Sequence, residues 1–426
     1  MLEDRYGSPL TTTSQTARDA YVEGIDRFLG AFDDVEEAYR SAMRADDGFA
    51  MPHVGLARYL VTVGRGQDAK REIVVAKELS HGVSPREAAQ IDIISDLIEG
   101  RAPQAYRRIR DHVTDHPRDI LLAQTCTSVF GLIGFSGQAG REAEQLAYTT
   151  LLKPHYGDDW WFLCQHAFAQ MEAGQIGPAA ENIERALELK PDSAHSAHVR
   201  AHLYYENGET DAGYAYLREF WQDYPFTAYL HCHLSWHVAL WALESGDVAG
   251  MWKLFDDYVS PDRPPAPPLN VLTDSVAIVH RAFLAGEQIP QERWQQLSDY
   301  AVQFFPSPGL AFADVHAALA HAMAGNRERL EATIDGAKGP AGPTVASVAG
   351  AFRALADGNA DEAIEKFVSV MSEHERLGGS RAQRDIIEFS LAHALAISGK
   401  SNEARRILNM HRPHTSHDHA VATLEE

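Results

Sequence analysis

A repeated spacing of glycines and prolines constrains this chain more than any other feature. Gly100 and Pro117, Gly174 and Pro191, and Gly208 and Pro225 are each 17 residues apart, and the last two pairs are offset by 34. Five residues after each glycine stands a small residue: Ala105, Ala179 or Gly213. Four residues later comes an aliphatic one: Ile109, Ile183 or Leu217. The glycine ends one helix, the small residue lets two helices approach closely, and the proline stops the second helix. Between these marks apolar residues recur three and four apart, Ala, Leu, Glu and Arg dominate, and strand-type alternation is nearly absent. The repeating unit is therefore a helix–turn–helix of 34 residues.

Weaker copies extend the pattern. Gly358, Ala363 and Phe367 keep the spacing, as do Gly399, Ala404 and Leu408. Gly246 ends a helix expected over His233–Glu244, and Gly64 or Gly66 has the same part near the start. The spacing resembles that of tetratricopeptide repeats, although the aromatic sites of the first helix are poorly matched. The expected fold class is all-α: tetratricopeptide-like helix–turn–helix repeats forming a right-handed superhelix, an α-solenoid with a concave face. Pro261–Pro268 cannot sit within a helix and reads as a rigid extended link, and Gly336–Pro343 reads as a loop. The expected organisation is an N-terminal array over 1–260, a Pro-rich joint over 261–269, C-terminal helical repeats over 270–410 and a flexible tail over 411–426.

Charge narrows the partners. The 426 residues carry 38 Lys and Arg against 60 Asp and Glu, a formal charge of −22. Such a polyanion repels nucleic acid and anionic membrane surfaces, so neither is an expected partner. No apolar run approaches the ~20 residues that span a bilayer. The N-terminal stretch is polar and shows no signal peptide. Cys126, Cys164 and Cys232 are too sparse and too widely spaced for a disulfide framework or a CxxC zinc pair, which fits a reducing cytoplasm.

Histidine is the compositional surplus, with 21 residues. His198 and His202 are four apart, so they stack on one helix face. His233 and His237 repeat that spacing on the next first helix of the array, with Trp236 beside them. His195 precedes the first pair by one turn, and His231 precedes the second by two residues. Two helices that each present HxxxH can bring four imidazoles together. Such a set can hold a divalent transition metal, zinc or another late member of the series. It can also act as a proton-transfer site. A third account needs no function: buried histidines bonded to backbone carbonyls or to Tyr204, Tyr205 or Tyr229. The HExxH metalloprotease pattern is absent from these helices.

Two further clusters carry polar groups. Asp314 and His316, with His321 beyond, fall in one helix, but the first two are two apart and share a face poorly. A carboxylate orienting an imidazole and a solvated aspartate near a helix start are the two readings there. Leu377–Asp385 reads LGGSRAQRD. Gly378 and Gly379 end one helix, Ser380 caps the next, and its first turn, with Arg384, offers donors to an anion. A plain inter-helix turn explains the same residues.

The order of LTTTSQTA near the start, HVRAH, CHLSWH, FADVH and LGGSRAQRD resembles the tetratricopeptide repeat protein 38 family. The resemblance runs from about residue 9 to 410, and the LGGSRAQRD string is its most specific part. It falls on His198, His202, Cys232, His233, Trp236 and His237, and on Asp314, His316, Gly378, Gly379, Ser380, Gln383, Arg384 and Asp385. It does not call for histidine at 195 or 231. The resemblance implies that these residues form one site, with the GGS turn approaching the histidine helices, and implies no particular activity.

The first expectation for function is a repeat protein that binds a small molecule or peptide, anionic by the presence of Arg384, in an enclosed concave pocket. His198, His202, His233, His237 and Arg384 would line it, with Trp236, Ser380 and Gln383 as further ligand contacts. The alternative is an enzyme of hydrolase or lyase type. It would use the same four histidines as metal ligands or acid/base groups, with Asp314, His316 or Asp385 as catalytic partners. A bland peptide adaptor is the third. Nucleotide loops of GxGxxG or GxxxxGK[ST] type and a GxSxG elbow are absent, and fold alone does not choose among the three.

Overall fold

The computed structural model describes residues 2–263, 266–414 and 420–424. Among these residues the chain is all-α, with 22 α-helices and a single antiparallel pairing of Leu2–Glu3 with Pro9–Leu10. No helix among them is long and apolar enough to cross a membrane. Most helices form antiparallel hairpins of tetratricopeptide type, such as Gln15–Gly30 with Val35–Ala45, Met51–Thr62 with Gly66–Glu78, and Trp160–Glu172 with Ile176–Leu189.

The glycine ruler is visible in the backbone. Gly100, Gly174 and Gly208 all have positive φ, between +69° and +80°, at the ends of their helices. The small residue of the unit is needed for the close approach of helices. At Gly213 an added Cβ would come within 2.6 Å of the Trp241 ring and 2.8 Å of Tyr204. Ile109, Ile183 and Leu217 are all buried behind it.

The chain divides into two compact units. The first comprises 1–133, 143–199 and 225–229; the second comprises 134–142, 200–224 and 230–426. Within the second unit, helix His231–Glu244 packs against helix Pro268–Leu284 across the Pro-rich stretch. That helix begins at Pro268, since proline is tolerated in a first turn where no N–H partner is needed. Pro268 and Leu269, expected in the joint, are therefore helical; Pro264 and Pro265 lie outside the described residues.

The segment expected to be a tail is in part ordered. His411 closes helix Ser401–His411, and Arg412 is buried. Arg412 Nε donates to Asp385 at 2.6 Å and Nη1 to Glu206 at 3.0 Å. Ala420, Val421 and Leu424 are buried as well. Residues 415–419 and 425–426, with His417 and His419, lie outside the described residues.

Candidate metal centre

His198 and His202 sit on helix Ala194–Asn207, and His233 and His237 on helix His231–Glu244. The unit division falls within the first helix, between Val199 and Arg200, but the helix itself is continuous and carries both histidines on one face. One ring nitrogen from each of the four histidines lies within 4.8 Å of every other. The rings of His202 and His237 are 4.6 Å apart at 82°, and those of His233 and His237 are 4.9 Å apart at 77°. None of the four is more than 7% exposed. The expected pairs thus turn into the protein interior and face each other. A tetrahedral ion with nitrogens at about 2.0–2.1 Å holds its donors roughly 3.3 Å apart, so the donors would have to draw closer to close the set on a metal.

Electrostatics leaves the imidazoles ready as ligands. Burial holds the pKa of His202 down at about 3, and neighbouring His233 adds to the effect. Burial, with His202 and His233 nearby, pulls that of His237 well below its ordinary value. Both rings are neutral at pH 7, with a lone pair available. His233 has a carboxylate behind it: Nδ1 lies 2.9 and 3.0 Å from the two oxygens of Asp274. With Nδ1–H engaged there, Nε2 is the nitrogen left to coordinate, the carboxylate–histidine–metal arrangement. Asp274 stands on helix Pro268–Leu284 and is fully buried. Burial raises its pKa, and His233 and Asn270 counter that rise.

Trp236 stacks on His233 at 5.3 Å and 12°, and meets His237 edge-on at 4.6 Å. It packs the imidazoles in the interior. His198 packs edge-on against Phe168 at 5.9 Å. His195 and His231 stand outside the group of four. His195 Nε2 pairs with the Tyr229 hydroxyl at 2.7 Å, and His231 is wedged among Trp221, Tyr224 and Tyr258. Cys232 is buried and free.

The remaining sequence-predicted residues have other partners. Asp314 accepts the Gly309 N–H at 3.0 Å near the start of helix Ala311–Ala324, and burial pushes it up to about 6. His316 Nδ1 turns back to the Phe312 carbonyl at 2.7 Å, so no Asp314–His316 pair forms. His321 Nδ1 pairs with the Ser298 hydroxyl at 2.8 Å. Ser380 and Gln383 form a reciprocal capping box on helix Arg381–Ile397. The Arg384 guanidinium is buried, donates to the Gly379 carbonyl at 2.6 Å and pairs with Glu142. These three side chains hold the turn together, and the expected role of Arg384 as an anion clamp is replaced by that internal ion pair.

Asp385 accepts from the Tyr205 hydroxyl at 2.6 Å, which ties helix Arg381–Ile397 to the helix that carries His202. A direct contact between this C-terminal helix and the histidine helix thus runs through Asp385 and Tyr205. Asp274 was missed in the sequence. Its signal was a lone carboxylate in the apolar run Asn270–His280, where an acid is stable only with a buried partner.

No family model matches the chain. Among solved structures, human IFIT1 dimers with m7Gppp-AAAA and with PPP-AAAA align at 13% and 14% identity, both with a TM-score of 0.42. The alignments cover 94% and 96% of this chain, and 90% and 97% of those chains. The TPR domain of P58(IPK) aligns at 13% identity and a TM-score of 0.20 over 92% of this chain and 98% of that one. At these overlaps the matches carry no inference about what this chain binds.

Proposed function

We propose that this tetratricopeptide-like repeat protein, of the tetratricopeptide repeat protein 38 type, is a metalloprotein. It holds one late first-row transition ion between His198, His202, His233 and His237. The observation that carries this reading is the convergence of four buried imidazoles with a carboxylate behind one of them. A purely structural packing of aromatic rings has no need of Asp274. An all-nitrogen donor set favours zinc, copper, nickel or iron over calcium and magnesium, which prefer oxygen.

A closed set of four ligands suits an ion that braces the fold. The alternative hydrolase or lyase reading leaves one of the four imidazoles off the metal, and His198, which also packs against Phe168, is the candidate. Three imidazoles with an open fourth position are a zinc-hydroxide arrangement, and His198 would then be the proton acceptor.

Metal analysis of the purified protein, without an affinity tag and with His414, His417 and His419 replaced by serine, tests the proposal. The expected result is one equivalent of a transition metal per chain, lost in His202→Ala/His237→Ala and reduced in His237→Gln. X-ray absorption then separates four nitrogens from three nitrogens and one oxygen. A chain that neither retains nor takes up zinc, copper, nickel or iron, while folded by circular dichroism, refutes the reading.

A further inference from the structure

The first unit contains an arginine that the metal centre does not use. Arg58 stands in helix Met51–Thr62 and is half-buried. Nη1 donates to Thr62 Oγ1 at 2.6 Å and Nη2 to Gln124 Oε1 at 3.2 Å. A guanidinium has five N–H donors in a rigid fork, and both of these acceptors are neutral. Nε is shielded from solvent and has no hydrogen-bond partner among the described residues. The chain carries 60 acidic residues, yet none of those described lies within ion-pair distance of Arg58. Burying a cation without a counterion is costly, and here burial lowers its pKa to about 10.

The Phe28 ring stands beside this cation, and two tyrosine rings pack against Phe28. The guanidinium carbon lies 5.5 Å from the centre of the Phe28 ring. Phe28 meets Tyr59 at 5.7 Å and Tyr229 at 6.3 Å, and the two tyrosines are 6.1 Å apart. The Tyr229 hydroxyl is within 2.7 Å of His195 Nε2, so a second hydrogen-bonding group sits at the edge of the aromatic cluster. All of these residues belong to the first unit.

We infer that Arg58, with the Phe28, Tyr59 and Tyr229 rings, is a subsite for the carboxylate of an apolar or aromatic ligand. The fork of Arg58 would take the two carboxylate oxygens side by side, and the ring cluster would cover the carbon body. The same chemistry comes from two sources, a free aromatic acid or the C-terminal residue of a peptide. This site is independent of the metal proposal and survives its failure.

Isothermal titration of the full chain with N-acetyl-phenylalanine, with its amide, and with an alanine-rich peptide ending in phenylalanine tests the inference. The acid should bind and raise the melting temperature, and the amide should bind at least tenfold more weakly. Arg58→Gln should abolish the difference between acid and amide. Arg58→Lys, which keeps the charge but loses the fork, should retain only part of it. A peptide that binds more tightly than the small acid assigns the site to chain termini, and the reverse assigns it to free acids. Equal binding of acid and amide, undiminished binding to a folded Arg58→Gln protein, or response to inorganic phosphate alone overturns the inference.

Discussion

Glu244 and Arg281 show how strongly the interior of the second unit depends on single charged side chains. Arg281 Nη2 donates to Glu244 at 3.0 Å and Nη1 to the Tyr205 hydroxyl at 3.4 Å, and both charged groups are nearly inaccessible to solvent. Desolvation outweighs the Arg281 charge and lifts the Glu244 pKa from 4.5 to about 7. A carboxyl whose pKa is raised by folding holds its proton more tightly in the folded chain than in the unfolded one. Between pH 4.5 and 7 the folded state therefore binds more protons, and stability falls as pH rises through that window. Glu244→Gln removes this contribution. The unfolding free energy of the wild type, from urea denaturation, should decline more steeply from pH 5 to pH 8 than that of the variant, by an amount on the order of 2–3 kcal/mol. Equal slopes for the two proteins would show that Glu244 is ionised throughout. Nothing in the local sequence announces this residue, because Arg281 lies 37 positions away and only the packing of two helices brings the pair together.

At the scale of the element, the turn before helix Arg381–Ile397 explains why LGGSRAQRD stands out from a degenerate repeat. Gly378 and Gly379 have φ of +93° and +72°, and added Cβ atoms would strike Phe135 and Phe312 respectively. Arg141 Nη2 donates to the Gly379 carbonyl at 2.6 Å, and Arg376 Nε to the Gly137 carbonyl at 3.0 Å. The string is a fastening between the 134–142 segment and the helix start. It was readable in the sequence as a special place, since two glycines and a capping serine are unusual in a repeat. The choice between an anion site and an internal clamp was not readable, because Glu142 and Arg141 come from more than 230 residues earlier in the chain. Ser380→Ala should cost about 1 kcal/mol, the loss of one cap. Gly379→Ala combines backbone strain with a ring clash and should cost roughly 2–4 kcal/mol. Chemical denaturation measures both, and the metal content of each folded variant should be unchanged. A Gly379→Ala protein as stable as the wild type would contradict the clamp.

For the whole molecule, the repeat ruler was legible because the three best-matched hairpins obey local rules: a glycine with positive φ, a small residue at the crossing and a proline after the second helix. The four histidines were legible for a related reason, since i, i+4 spacing is a property of one helix. How the hairpins partition was not legible, because partition depends on which helix covers which. Helix His231–Glu244 is apolar almost all round, with only Glu244 of its 14 residues not classed as buried, so it needs neighbours on every side. One of them is helix Pro268–Leu284, which also supplies Asp274 to His233. A cut at the Pro-rich stretch removes that neighbour. A 1–260 fragment should therefore expose the apolar faces of helix His231–Glu244, lose a cooperative urea transition and bind dye specific for apolar surface. Transition-metal uptake should fall at least tenfold, since His233 loses the carboxylate that orients it. The control is the full chain cleaved at an introduced protease site between 261 and 266. If its two pieces stay associated and keep the metal, the covalent link is dispensable and the packing of the two helices is what matters. A 1–260 fragment that folds cooperatively and binds metal like the full chain would instead make the Pro-rich stretch a true domain boundary.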